Sequence, residues 1–162
     1  MGFIFNKSKK DKVVIKLWNS FWEKEKLIEN YVFDNEKADA IIVTRTGIYL
    51  FKIFTEKGEL TKYGLKDKYW IFNGKEQSTI INPIISLQKI ENHLRNVFHD
   101  SNVPIFICNI FSESKFTLNE YIYNVSSFRD SLLNNKKCLS NEDVNAYYDM
   151  IIKNNSEKLL NE

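Results

Sequence analysis

The first third of the chain passes from a helical hydrophobic pattern to strand-like ones. Apolar residues recur at spacings of three and four over residues 11–29, which predicts an amphipathic helix there. The apolar stripe comprises Val14, Leu17, Trp18, Phe21 and Trp22. Both tryptophans lie on the stripe, so we expect them in the core. A short strand is expected at 30–33. Hydrophobic runs at 40–43 and 48–54, separated by Arg45-Thr46-Gly47, predict a hairpin buried on both faces.

The middle of the chain predicts two more strands and a capped helix. Runs at 60–63 and 69–72 have strand character, and Asn73-Gly74 is a strong hairpin signal because both residues tolerate positive φ. Asn82 then caps a helix whose first residue is Pro83, where a missing N–H costs no hydrogen bond. The apolar face of this helix comprises Leu87, Ile90, Leu94 and Val97.

The last third predicts two strands and two helices. The strands are expected at 104–111 and 121–125, followed by a helix over 126–131. Ser140, with Asp143 three residues later, is a variant of the capping box and predicts the start of a final helix. The order of helix, antiparallel hairpins, helix, strands and helices predicts an α/β fold with a mixed central sheet.

Length and composition favour a single domain. The chain has 162 residues, of which 43% are hydrophobic, and this is enough to bury a core. We place the domain at residues 11–152, with an N-terminal tail over 1–10 and a frayed C-terminal tail over 153–162. The sequence contains no repeat and no linker, so nothing in it argues for a second domain.

Charge and cysteine content restrict the function only weakly. A formal charge of +2 is too small to imply a nucleic-acid partner by itself. Cys108 and Cys138 have no second cysteine at metal-ligand spacing, which favours unpaired thiols in a reducing compartment. No stretch approaches the ~20 apolar residues of a membrane helix, and the N-terminus lacks the charged-then-apolar order of a signal peptide. We therefore expect a cytoplasmic protein with no membrane partner.

Several motifs in combination resemble the nuclease-related domain (NERD) family. The resemblance covers about residues 11–152. The motifs that carry it are Ala38-Asp39-Ala40-Ile41-Ile42-Val43-Thr44, Gly47-Ile48-Tyr49-Leu50-Phe51, Tyr69-Trp70, Asn82-Pro83, Val103-Pro104-Ile105-Phe106 and Leu139-Ser140-Asn141-Glu142-Asp143. This family belongs to the restriction-endonuclease-like superfamily. The resemblance therefore implies a restriction-endonuclease-like α/β fold, with a mixed central sheet, antiparallel hairpins and flanking helices, and it implies a location for a nuclease site.

The implied site has lost part of its chemistry. A metal-dependent nuclease needs carboxylates that hold Mg²⁺ beside the scissile phosphate. In the family, an aspartate ends the first hairpin strand, and a Glu-x-Lys pair follows on the second. Here the aspartate is present as Asp39, whereas Lys52-Ile53-Phe54 replaces the pair. The family's helix glutamate falls on Asp11, and its glutamine position holds Ser86, while Gln88 faces elsewhere on that helix.

The substitution at Lys52 disfavours metal binding. An ammonium within ~4 Å of a divalent cation repels it by several kcal/mol even at an effective dielectric constant of 20. We expect Asp39 and Lys52 to pair with each other, with Asp39 only a weak metal candidate. The leading hypothesis is a catalytically degenerate module that binds nucleic acid or a protein partner in DNA processing, with no cofactor. Its predicted nucleic-acid contacts are Lys52, Lys57, Lys62, Lys68 and Trp70, although an aromatic residue on a strand is more often part of the core.

Two alternatives remain open. The first is an active nuclease in which Asp39, Asp11 and Glu56 are the carboxylates, Lys52 is the catalytic lysine, and Mg²⁺ or Mn²⁺ is the cofactor. It requires a shift in which Glu56 replaces the lost glutamate on the Lys52 face of its strand. The second is a protein-interaction scaffold without affinity for DNA. The sequence leaves the oligomeric state open.

Overall fold

Two mixed β-sheets and four α-helices make up the fold in the computed structural model, which describes residues 8–23, 25–117 and 119–156. The helices are α1 (Lys9–Trp18), α2 (Pro83–Phe98), α3 (Val125–Ser131) and α4 (Asn141–Lys153). The strands are β1 (Lys26–Phe33), β2 (Glu36–Thr44), β3 (Gly47–Phe54), β4 (Gly58–Lys62), β5 (Tyr69–Asn73), β6 (Gln77–Ile81), β7 (Ile105–Phe111), β8 (Ser114–Lys115) and β9 (Ile122–Tyr123). The predicted α/β class with a mixed sheet is confirmed.

The larger sheet has the strand order β1-β2-β3-β7-β9. Its first three strands are antiparallel neighbours, whereas β7 runs parallel to both β3 and β9. The smaller sheet has the order β6-β5-β4-β8, again antiparallel except for the β4–β8 pair. The predicted single central sheet is therefore accompanied by a second sheet, which the hairpins after β3 build.

Helices cover both faces of the larger sheet. On one face, α2 and α4 bury Leu87, Ile90 and Val144 against β2 and β3, which contribute Ile41 and Leu50. On the other face, α1 and α3 pack on the alternate strand residues; this layer contains Val14, Leu17, Ile42, Tyr49, Phe51 and Phe128. Because a strand alternates its side chains between faces, the continuous apolar runs 40–43 and 48–51 supply both layers. The predicted burial on both faces is confirmed.

The β2–β3 turn falls where the sequence predicts it. Gly47 has φ of +144°, and a Cβ at this position would lie 2.8 Å from the Phe106 ring and 2.9 Å from the Pro104 carbonyl oxygen. These distances are shorter than any normal carbon contact, so only glycine fits where the turn packs against the start of β7. The N-cap of α2 by Asn82 and the Ser140–Asp143 capping box of α4 are also present.

The first helix is shorter than predicted. Helix α1 ends at Trp18, and residues 26–33, expected in part to be helical, form strand β1. Ile28 lies within the predicted helix and Tyr31 within the strand predicted at 30–33, but in the structure both enter the core from one edge strand paired with β2. Pairing with a neighbouring strand has overridden local periodicity. As a consequence, Trp22 lies in the connection and is 95% exposed, so its predicted core position is wrong.

The third hydrophobic cluster joins the two sheets. It contains Leu60, Trp70 and Phe72 from the smaller sheet and Phe111 and Ile122 from the larger one. The indole N–H of Trp70 donates to the Gly64 carbonyl oxygen at 2.8 Å, which satisfies its only donor inside the cluster. Among the described helices, none is both long and apolar enough to cross a membrane.

The surroundings of His93 predict that acid destabilises the fold. Its ring stacks on Phe33 with 3.7 Å between centroids, and its buried Nε2 has no hydrogen-bond partner in the described part of the chain. Burial lowers the pKa of His93 below its usual 6.5. Below pH 6.5 the unfolded chain therefore takes up the proton more readily than the folded protein. The stability that the neutral, buried ring of His93 contributes is complete above pH 6.5. It is lost as the pH falls toward the pKa of His93 in the folded protein.

We expect the midpoint temperature of thermal unfolding to be lower at pH 5 than at pH 7. The difference should be smaller in His93→Leu. Thermal unfolding followed by circular dichroism at several pH values measures both. His99→Asn is the control, because His99 is exposed at the left-handed C-cap of α2, where asparagine is also tolerated. That variant should keep the parental pH dependence. An identical acid sensitivity in His93→Leu would contradict this account.

Candidate functional site

The carboxylate of Asp39 occupies the point where β2 and β3 stop pairing. The last backbone pair of the hairpin on this side is Ala40 with Phe51. Beyond it, the backbone N–H of Ile53 donates to Asp39 Oδ2 at 2.7 Å. The carboxylate therefore replaces the backbone acceptor that β2 would otherwise supply. We call this region the fork and define it by Asp39, Lys10, Lys37 and Lys52.

Two lysines neutralise the carboxylate. Lys10 Nζ lies 3.4 Å and Lys37 Nζ 3.9 Å from Asp39 Oδ1, and the Asp39 side chain is only 12% exposed. In the described ranges no other cation lies within 4 Å of it, so the predicted pair with Lys52 is wrong. Lys10 from α1 and Lys37 from β2 occupy the positions beside the carboxylate, and Asp39 acts on Lys52 only at longer range.

Lys52 lies half-buried beside a buried amide. Burial lowers the pKa of Lys52, and the negative charges of Asp39 and Glu36 partly oppose that effect. Its register neighbour on β7 is Asn109, which is 0% exposed. Neither amide atom of Asn109 has a hydrogen-bond partner within the part of the chain that the structure describes. An ammonium in such surroundings attracts an anion more strongly than one in water.

Asp11 and Asp39 line the same small cavity. Asp11 lies in the first turn of α1, where its carboxylate accepts the Ser8 N–H at 3.2 Å in a capping box. The cavity has a volume of about 140 Å³, and its wall also includes Glu29, Lys10 and Lys37. The ammonium groups of Lys10 and Lys37 in this wall oppose the binding of a metal ion by its carboxylates. Among the described residues, no group of three or more His, Cys, Asp or Glu could hold a metal ion.

A larger groove of about 660 Å³ opens where the two sheets meet. Its rim carries four lysines and two glutamates, and its floor is aromatic. The groove is lined by Lys9, Lys10, Ile53, Phe54, Glu56, Lys57, Phe72, Gly74, Lys75, Glu76, Ser78, Ile80 and Phe111. Phe54 stacks on Phe111 with 4.4 Å between ring centroids and 9° between planes. Because Lys10 lines both this groove and the cavity of Asp39, the groove adjoins the fork.

The structure separates the other predicted site residues. Glu56 and Lys57 line the groove, so Glu56 does not share the Asp39 cavity as the active alternative requires. Lys62 and Lys68 are exposed outside the groove, and Lys68 Nζ lies 5.4 Å from the Tyr69 ring centroid. Trp70 is 0% exposed. Its predicted role as a stacking surface for a base is wrong, because a ring enclosed in the core presents no free face.

Three groove or fork lysines escaped the sequence analysis: Lys9, Lys10 and Lys37. Lys37 lies two residues before Asp39 on one strand, so its position on the same face could have been inferred. Lys9 and Lys10 were assigned to a tail, although they belong to the first turn of α1. Ser86 is buried on α2, and Gln88 is exposed, as its helical position predicts.

Comparisons of this chain with models of known protein families, with curated proteins and with solved structures each found no match.

Asp39→Ala should destabilise the protein by about 1–3 kcal/mol, because it leaves the buried N–H of Ile53 without its acceptor. Asp39→Asn should cost less, since its amide oxygen still accepts that hydrogen bond, and the lost ion pairs with exposed lysines contribute at most ~1 kcal/mol. Urea unfolding followed by tryptophan fluorescence measures both. Asp130→Ala, at an exposed position of α3, should change stability by less than ~0.5 kcal/mol. Equal losses for Ala and Asn would contradict the role of the Ile53 hydrogen bond.

Proposed function

We propose that this protein is a nuclease-like domain that binds nucleic acid and has lost metal-dependent cleavage. The observation that carries the proposal is the concentration of lysines along the groove that adjoins the fork. At the fork itself, Asp11 and Glu29 lie in the same cavity wall as Asp39, Lys10 and Lys37, so positive and negative groups are balanced there. The groove lining, in contrast, has four lysines for two glutamates. Clustering of this kind creates an attractive potential that a total charge of +2 conceals.

The chemistry of the lysines fits a phosphate backbone. Lysine ammoniums neutralise phosphates and release condensed counterions, a contribution that requires no particular base sequence. Lys52 adds a cation whose half-buried position strengthens its attraction for an anion. The resemblance to nuclease-related domains supports nucleic acid over other polyanions, because in that family the corresponding site receives a phosphodiester.

The state of Asp39 supports the loss of cleavage. One carboxylate oxygen is paired with two lysines, and the other accepts a backbone hydrogen bond. A divalent metal would have to displace both ammoniums from its strongest ligand. By the family resemblance, the positions that would supply a second carboxylate and the catalytic lysine are Lys52 and Phe54. The remaining cations favour binding of phosphate over its activation.

The proposal predicts salt-dependent binding of DNA without cleavage. Fluorescence anisotropy of a labelled duplex and a labelled single strand, titrated at several salt concentrations with Mn²⁺ present, measures the affinity. The end-point samples on a denaturing gel test for fragments. We expect the double variant Lys10→Gln/Lys57→Gln to bind about tenfold more weakly at low salt. The slope of its plot of log affinity against log salt concentration should also be smaller by about 1–2, since each phosphate contact contributes about 0.7–0.9 to that slope.

Lys153→Gln is the matched control, because it removes an exposed lysine at the end of α4 that lines neither the groove nor the Asp39 cavity. It should bind like the parent protein. Metal-dependent fragments that disappear in Asp39→Asn would overturn the loss of cleavage and favour the active nuclease with Asp39, Asp11 and Lys52. Absence of binding at low salt would overturn the proposal and favour the protein-interaction scaffold.

A further inference from the structure

We infer that the groove between the two sheets binds single-stranded nucleic acid, with a base stacked on Phe54 and the neighbouring phosphates contacting the rim lysines. This inference rests on the proposed function and adds the form of the substrate. It also assigns a binding role to Phe54, the residue that stands where the resemblance implies a catalytic lysine.

Phe54 has the exposure that a stacking platform needs. It is the last residue of β3, and its side chain is half-buried, whereas its partner Phe111 is 1% exposed. Phe111 therefore supports Phe54 from within the third hydrophobic cluster, and Phe54 is the more accessible ring of the pair. A rigid, supported aromatic side chain stacks on a nucleobase with little loss of conformational entropy.

The shape of the groove selects a single strand. Bases in a duplex are stacked on one another inside the helix, so a duplex could contact the rim but could not place a base face on the floor. Unpaired bases are free to leave the backbone and enter such a depression. The groove volume of about 660 Å³ falls in the range of roughly 300–1,000 Å³ typical of pockets for small organic groups.

The charged rim complements the backbone on either side of such a base. Lys9 and Lys10 come from α1, Lys57 from the turn after β3, and Lys75 from the turn after β5. In the described ranges, Lys57 and Lys75 have no carboxylate within 4 Å. Their ammoniums are therefore available to phosphates, whereas Lys9 lies 3.8 Å from Glu113 and Lys10 3.4 Å from Asp39. An aromatic floor and a basic rim together are typical of sequence-tolerant single-strand binding.

The test compares an oligothymidylate with a duplex of equal length by anisotropy at one low salt concentration. We expect the wild-type protein to bind the single strand at least tenfold more tightly. Phe54→Leu keeps an apolar side chain but removes the ring, and it should weaken single-strand binding about tenfold without changing duplex binding. Phe33→Leu is the matched control: Phe33 is also a half-buried phenylalanine that ends a strand and stacks on another ring, but it lies outside the groove. It should leave both affinities unchanged.

The two proposals fail in different ways. Equal or tighter duplex binding that is insensitive to Phe54→Leu would overturn the single-strand inference and leave nucleic-acid binding standing. No binding of either DNA would overturn both.

A second measurement does not depend on how the variant folds. Wild-type protein is irradiated with an oligonucleotide that contains 5-bromodeoxyuridine, and the cross-linked peptides are identified by mass spectrometry. Cross-links confined to residues 53–57 or 72–80 support the groove as the site. Cross-links only on other surfaces would overturn it.

Discussion

The position of β3 between β2 and β7 is the constraint on which the rest of the structure depends. Backbone hydrogen bonds hold β3 on both edges, antiparallel to β2 and parallel to β7, and its side chains are buried on both faces. Polar groups cannot be placed in the middle of such a strand without partners. The strand can therefore present chemistry only where burial ends, from Lys52 onward. The fork and the groove are both found at that end.

The parallel β3–β7 pair explains why two aromatic rings form the groove floor. Phe54 and Phe111 are register partners at the carboxyl ends of these strands, which places their rings side by side on one face. In open α/β sheets, ligands bind outside the carboxyl ends of parallel strands, where side chains and loops converge and backbone pairing has finished. The hairpins of the second sheet follow β3 directly and close the other side of the groove. One feature of topology thus produces both the cavity and its lining.

The sequence predicted the parts of this arrangement that local signals determine. The β2–β3 hairpin is encoded by continuous apolar runs around a required glycine, and α2 and α4 by caps that satisfy their first N–H groups. The end of α1 was missed because the helical pattern was extended to residue 29, and only long-range pairing of residues 26–29 with β2 reveals that the strand begins earlier. The partners of Asp39 were missed for a related reason. Whether Lys52 or Lys10 reaches the carboxylate depends on the packing of α1 against the sheet, which periodicity does not report.

Lys52 and Asn109 show how burial determines which ions this end of β3 favours. A half-buried ammonium is tolerated when negative charge lies near it. For Lys52 that charge comes at longer range from Asp39 and Glu36. Asp39 is paired more closely with Lys10 and Lys37. The amide of Asn109, buried at the neighbouring register position, adds hydrogen-bonding capacity that no described residue uses. An anionic oxygen beside Lys52 would supply the compensation that the protein provides incompletely. A half-buried ammonium beside this amide disfavours a divalent cation at this position and favours an anion.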